Sequence, residues 1–108
     1  MEQRGRPRVP DSAIAFMQPL HTSSSTTFRV ELIDLSPTGA GLRTMIPASC
    51  GAPVVLSIAQ HPPQEGLFLC RVAHCTKLAN GRYHIGMTIH DQRPGNLNTT
   101  RIPDTWRK

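Results

Sequence analysis

Aromatic side chains are scarce, with three Phe, one Tyr and one Trp in 108 residues. Together with an apolar content of 38%, this argues against a thick α/β domain and for a thin core closed on itself. Long hydrophobic runs are missing too. No stretch approaches the ~18 residues that cross a bilayer, and Met1 to Arg8 lacks the apolar segment of a secretory signal. A soluble, cytoplasmic protein without a membrane segment is therefore expected. Cysteine is limited to Cys50, Cys70 and Cys75, an odd number without the spacing of a disulfide framework, which suits a reducing compartment. Helix signals are weak throughout, and ten Pro with eight Gly favour many turns, so bundles and coiled coils are excluded.

Acidic residues are few as well: seven against twelve cations, a net charge of +5. Ten of those twelve cations are Arg, the side chain that forks onto phosphate or guanine where Lys acts as a point charge. Three of the ten lie in the first eight residues.

The chain fits one domain. Residues 1–11 form a basic arm with no apolar periodicity, expected to be flexible when nothing is bound. Residues 12–90 carry the strand signals. Ala13 to Leu20 reads as a short strand with Ile14 and Phe16 on one face, followed by a Ser/Thr-rich loop from Thr22 to Thr27. Phe28 to Ile33 alternates, with Phe28, Val30 and Leu32 opposite Arg29 and Glu31. Asp34 to Gly39 has turn composition, and Gly39 and Gly41 offer positive φ. Leu42 to Met45 resumes as a strand, Pro53 to Ile58 places Val54, Leu56 and Ile58 on one face, and His61 to Gly66 is a proline-containing loop. Leu67 to Leu78 is the longest strand, and Asn80-Gly81 marks a hairpin into Arg82 to His90. In that last strand Tyr83, Ile85, Met87 and Ile89 oppose His84, Gly86, Thr88 and His90.

Six short strands at this spacing predict an all-β fold, a small six-stranded antiparallel β-barrel, since closure removes exposed edges with one inward-facing set of side chains. Residues 91–108 read as a polar C-terminal tail, mostly irregular with one short helical turn near its end, in which Trp106 serves as a packing anchor.

Two motifs stand out. Arg4-Gly5-Arg6-Pro7-Arg8 gives Arg-x-x-x-Arg, and Asp34-Leu35-Ser36-Pro37-Thr38-Gly39 gives Asp-x-Ser-x-x-Gly. In this order, with Gly39-Ala40-Gly41-Leu42, Arg71-Val72 and Tyr83-His84-Ile85-Gly86-Met87 behind them, they resemble the PilZ domain family of cyclic di-GMP receptors over residues 4 to 90. The resemblance implies a bacterial second-messenger receptor in which Arg4 and Arg8 clamp phosphates and guanines. Asp34 and Ser36 bind on the barrel surface, and Gly39 shapes the turn. Gln3 and Arg6 are additional contacts, with Gln3 bearing on whether one ligand or an intercalated pair is held. It also implies a downstream protein partner and control of motility, exopolysaccharide or attachment.

The chemistry of the ligand fits these residue types. Two anionic phosphodiesters and two guanines call for cations, planar donors and an acceptor. An Arg fork on guanine O6 and N7 is worth ~1–3 kcal/mol of base discrimination, and the Asp34 carboxylate accepts from guanine N–H groups.

Other chemistries have less support. For a metal, a regular strand points Cys70 and His74 to one face and Cys75 to the other, and Cys-x4-Cys without a second pair is not a zinc spacing, so no metal site or cofactor is expected. Buried free thiols acting as small hydrophobes fit better. No Gly-x-Ser-x-Gly elbow or Cys-His pairing in a strand-to-helix context appears, so an enzyme is not expected. A small basic barrel binding single-stranded nucleic acid is the alternative of a different class, disfavoured by the shortage of aromatics for base stacking. A ligand-free protein-interaction adaptor on the same fold is the third.

Overall fold

The computed structural model describes residues 14–20, 26–58, 66–97 and 101–107, and the statements below concern these. Six strands follow one another: β1 (Ile14–Pro19), β2 (Phe28–Ser36), β3 (Gly39–Thr44), β4 (Pro53–Ile58), β5 (Gly66–Lys77) and β6 (Tyr83–Arg93). They close into an antiparallel barrel in the order β1-β2-β3-β6-β5-β4, with β1 paired to β4 completing the cylinder. A 3-10 turn, Asp104–Arg107, follows β6. No described helix is long and apolar enough to cross a membrane.

Alternation produces the core. Val30 and Leu32 of β2, Ala40 and Leu42 of β3, Val54, Leu56 and Ile58 of β4, and Ile85 and Met87 of β6 all turn into the barrel and are buried. Each fully buried aliphatic side chain contributes about 1.5–3 kcal/mol relative to exposure, so a thin core of this kind suffices without aromatics. Phe68 is the one ring buried inside.

The sequence reading needs five corrections. In β1 the residues that enter the core are Ala15 and Met17, while Ile14 and Phe16 share the outer face and Phe16 is 42% exposed. The stretch from Asp34 is not a turn: β2 continues through Ser36, leaving Pro37 and Thr38 as the loop. Accordingly β3 begins at Gly39, three residues before the expected Leu42, and neither Gly39 nor Gly41 is among the glycines with positive φ, which are Gly51, Gly66, Gly81 and Gly95. At the other end β6 runs past His90 to Arg93, because Asp91, Gln92 and Arg93 pair with Leu69, Phe68 and Leu67. Last, β5 is not regular. A bulge at Ala73, between the pairs Val72↔Met87 and His74↔Gly86, resets the alternation. Cys70 and Cys75 thus both pack toward the core and His74 faces outward.

The residues after β6 form a second, smaller cluster on the outside of β4 and β5. Ile102 and Trp106 bury against Val55 and Leu67, with Leu20, Leu69 and Leu97 around them. The Trp106 indole Nε1–H donates to Asp91 Oδ2 at 3.0 Å, which answers the polar need of a buried indole. The expected packing role of Trp106 and the helical turn near the chain's end are both present.

Candidate functional site

The outer face of β2, β3, β6 and β5 is a regular grid, because paired residues on neighbouring strands share a face. One transverse row reads Ser36–Gly39–Thr88–Arg71, the next Asp34–Gly41–Gly86–His74, and the third Glu31–Arg43–His84–Thr76. Glycine occupies three positions in the middle of this face, so the centre is a groove floored by backbone and walled by side chains. Asp34, Gly41, His74, His84, Gly86 and Thr88 are among the residues lining a concavity of about 350 Å³ there.

Asp34 reaches that groove because a bulge between Leu32 and Asp34 shifts β2 by one residue, placing Asp34 opposite Gly41 instead of leaving it a step out of register. Its carboxylate then lies over β3. A Cβ on Gly41 would come within 3.0 Å of Oδ1 and 3.2 Å of Oδ2, so any larger residue there would displace the carboxylate by a few tenths of an ångström. Ser36, one row further, is 4% exposed, and its hydroxyl donates to the Gly39 carbonyl at 3.4 Å, across the pair that closes the β2–β3 hairpin. The hairpin loop is fixed to the neighbouring strand by a backbone bond from Ile89 N–H to the Thr38 carbonyl at 2.9 Å. Asp34, Ser36 and Gly39, predicted as one motif, are thus brought together on one face. Gln3, Arg4, Arg6 and Arg8 lie outside the described residues.

Across the groove, the His74 ring occupies the space over Gly86: a Cβ on that glycine would overlap Nε2, Cε1 and Cδ2 of the imidazole. The His84 ring sits beside it, with centroids 5.6 Å apart and planes tilted by 32°. Arg71 closes the neighbouring row, its guanidinium anchored by donation to the Gly51 carbonyl at 2.8 Å. Thr88 pairs with His90 through Oγ1 and Nε2 at 2.9 Å. The groove thereby has an acceptor wall on β2 and donor-rich walls on β5 and β6.

Gly41 and Gly86 entered the sequence reading through turn chemistry and the family resemblance, and His74 as a disfavoured metal ligand; none was assigned to this groove. The signal existed in the hairpin: counting outward from the Asn80-Gly81 turn, Lys77 meets Tyr83, and three steps later His74 meets Gly86. What the sequence conceals is that β3 lies beside β6, which brings Asp34 to the same groove.

A second concavity of about 460 Å³ lies toward the start of β2, lined by Arg29, Arg43 and Arg82 around Glu31, with Met45 at its rim. Glu31 accepts from Arg43 at 3.0 Å and has Arg82 at 3.9 Å.

Among the described residues no three His, Cys, Asp or Glu side chains are placed to hold a metal ion. Cys70 and Cys75 face inward while His74 faces out, so these three do not converge. Burial pushes the Cys70 thiol up to about 12, which keeps it protonated and unreactive near neutrality.

Comparison with curated proteins gave no match. The family model described as the PilZ domain matches residues 2–101, a span that includes the arm with its Arg-x-x-x-Arg, the whole barrel and part of the tail. With a closed six-stranded barrel and the Asp-x-Ser-x-x-Gly residues gathered on its face, the chain belongs to the PilZ domain family.

Proposed function

We propose that this chain is a cyclic di-GMP receptor that passes its ligand state to another protein and catalyses nothing itself. The observation that carries this reading is the position of Asp34: a carboxylate laid over a glycine-floored groove, with Ser36 and Gly39 in the adjoining row. A flat purine can approach a surface without Cβ atoms, and a carboxylate at its edge accepts the guanine N–H donors that arginine cannot serve. Arg4 and Arg8 supply cations for the phosphodiesters, with Gln3 and Arg6 as additional contacts. In this reading the arm closes over the groove when its arginines meet the ligand, and the closed form is what a downstream partner recognises.

Binding of single-stranded nucleic acid is less well supported. Base stacking along a strand needs exposed aromatic faces, and Phe16 on β1 is the exposed aromatic ring among the described residues, away from the groove.

Calorimetric titration of the whole chain with cyclic di-GMP tests the reading. Saturable heat, loss of at least about tenfold in affinity for Arg8→Ala, and loss of preference over cyclic di-AMP for Asp34→Ala are expected. Absence of heat, or equal wild-type affinity for the two dinucleotides, would overturn it. Amide exchange at Arg4 to Arg8 gains protection on saturation if the arm closes, and is unchanged if it does not.

A further inference from the structure

We infer that the arginine-walled concavity at the start of β2 is the docking site for the downstream partner, and that it takes an acidic segment of that protein carrying an apolar side chain. The inference rests on the receptor reading for the existence of a partner. The surface itself is separate, since the concavity shares no lining residue with the groove that holds Asp34.

Three arginines meet one acid there. Arg29 and Glu31, two residues apart on β2, share its outer face, and Arg43 is the cross-strand partner of Glu31 on β3. Glu31 Oε1 accepts from Arg43 Nη1 at 3.0 Å and lies 3.9 Å from Arg82 Nη1, so a single carboxylate serves two guanidiniums. Arg29 has no ion pair among the described residues. Three cations against one anion leave a surplus of two positive charges around the concavity. A guanidinium carries several N–H donors in a planar fork, so Arg43 keeps most of its donors for a further acceptor. The Glu31 contact also fixes the Arg43 side chain in one orientation, which reduces the entropy lost when a carboxylate binds.

Apolar surface is placed at the same spot. The exposed large hydrophobics among the described residues are Phe16 and Met45, the latter at 71%. Met45 lines the concavity together with half-buried Ile14, and Phe16 is the cross-strand partner of Arg29. Neither belongs to the cluster that the tail covers, which is built on Val55, Leu67, Ile102 and Trp106. Arg, Met and aromatic side chains gathered in one patch are the composition that sets protein interfaces apart from other surface. A concavity of about 460 Å³ admits a few side chains of a partner segment.

Charge selects the occupant. A second copy of this chain is a poor one, because each copy carries a net charge of +5 and offers no free acidic patch. Of the described acids, Glu31 lies in the concavity, Asp34 lies over Gly41, Asp91 accepts from Trp106, and Asp104 is 3.6 Å from Arg101. Single-stranded nucleic acid fits less well, since evenly spaced phosphates would set one against Glu31, and Phe16 is the exposed ring available for stacking among the described residues. An acidic and apolar protein segment has the matching chemistry: carboxylates for Arg29 and Arg82, and an apolar side chain against Met45 and Ile14. On β3, Arg43 lies two residues from Gly41, about 7 Å along the strand, so the docking site and the dinucleotide groove occupy neighbouring rows of one face.

The test pans a random linear peptide library, displayed on phage, against the full chain and titrates the enriched peptides by fluorescence anisotropy. Expected are peptides with Asp or Glu beside Leu, Met or Phe, which shift the amide resonances of Arg29 to Glu31, Arg43 to Met45 and Arg82. Their affinity should fall at least about fivefold in Arg29→Ala/Arg82→Ala and in Met45→Ser, and stay unchanged in Arg101→Ala. It should also weaken as salt is raised from about 0.05 to about 0.5 M. The double variant keeps the Arg43–Glu31 pair, and circular dichroism melts establish that each variant is folded. No enrichment, enriched peptides without acidic residues, equal binding by the double variant, or equally tight binding of an oligothymidylate at the same amides overturns the docking site. Calorimetry with cyclic di-GMP on the same preparations separates the two readings. Dinucleotide heat without selective peptide binding overturns the docking site alone, and selective peptide binding without dinucleotide heat overturns the receptor reading alone.

Discussion

Gly41 and Gly86 are glycines because of the room they leave, since both lie in extended strand positions and only a side chain, not a backbone angle, would be in the way. At Gly41 the neighbour is the Asp34 carboxylate, and a methyl there must push it by a few tenths of an ångström while raising the groove floor. Ala is otherwise at least as good as Gly inside a strand, by about 0.5–1 kcal/mol. Gly41→Ala is therefore expected to leave the urea midpoint unchanged or slightly higher, yet to weaken cyclic di-GMP binding by about fivefold or more in titration. The cysteines give a second expectation at this scale. Cys50 is exposed, whereas Cys70 is buried with its thiol held up to about 12. Alkylation followed by mass spectrometry should label Cys50 in the native protein at pH 8, and Cys70 only after denaturant is added.

Between residues and the whole fold lie the elements, and here the bulges do most to set the site. Alternation in Phe28–Leu32 and Tyr83–Ile89 was legible from the apolar pattern, because a period of two needs no partner to be visible. The bulges at Ala73 and ahead of Asp34 were not, because a bulge is one extra residue relative to a partner strand and has no local signature. For the same reason the cysteine faces were misassigned and β2 was ended too early: Asp and Ser carry turn propensity, but pairing with Gly41 and Gly39 overrides it. The tail is an element of its own, held by Trp106. Trp106→Ala removes a side chain 5% exposed and is expected to cost about 3 kcal/mol in urea denaturation. A cost below about 1 kcal/mol would show that the tail is not integral to stability.

The Asp91 carboxyl that receives the indole is held below the ordinary aspartate value of 3.8, first by that hydrogen bond, then by the Gln92 backbone N–H and the Arg93 charge. A depressed folded-state value means that the contribution is complete above the ordinary value and is lost as pH falls through the folded one. Melting temperatures of wild type and Asp91→Asn should differ at neutral pH and converge as the solution is acidified below about pH 4. A constant difference across that range would contradict the assignment.

At the scale of the molecule, a core of small aliphatics leaves a modest stability, typically about 5–15 kcal/mol for a domain of this kind. Any ligand confined to the folded state then has a visible effect. With free cyclic di-GMP at about a hundred times Kd, the barrel should gain about 2.7 kcal/mol and melt roughly 10 °C or more higher, with a smaller shift for cyclic di-AMP at the same concentration. An unchanged melting temperature under saturating conditions would contradict binding to the folded barrel.

The sequence by itself determined the number of strands, most of their inward faces, the closed barrel and the pairing of an arginine motif with an acidic one. Those features are local, or follow from the need to cover strand edges with few apolar residues. Only the tertiary structure decided that Asp34, Gly41, Gly86 and His74 form one row. That row depends on β3 lying beside β6, a contact between residues more than forty positions apart, and on bulges that shift two strands by one residue each. Because side chains in a sheet alternate, a shift of one residue moves a side chain from the core to the surface. So the groove, and the histidines on its far wall, exist only once the barrel is closed.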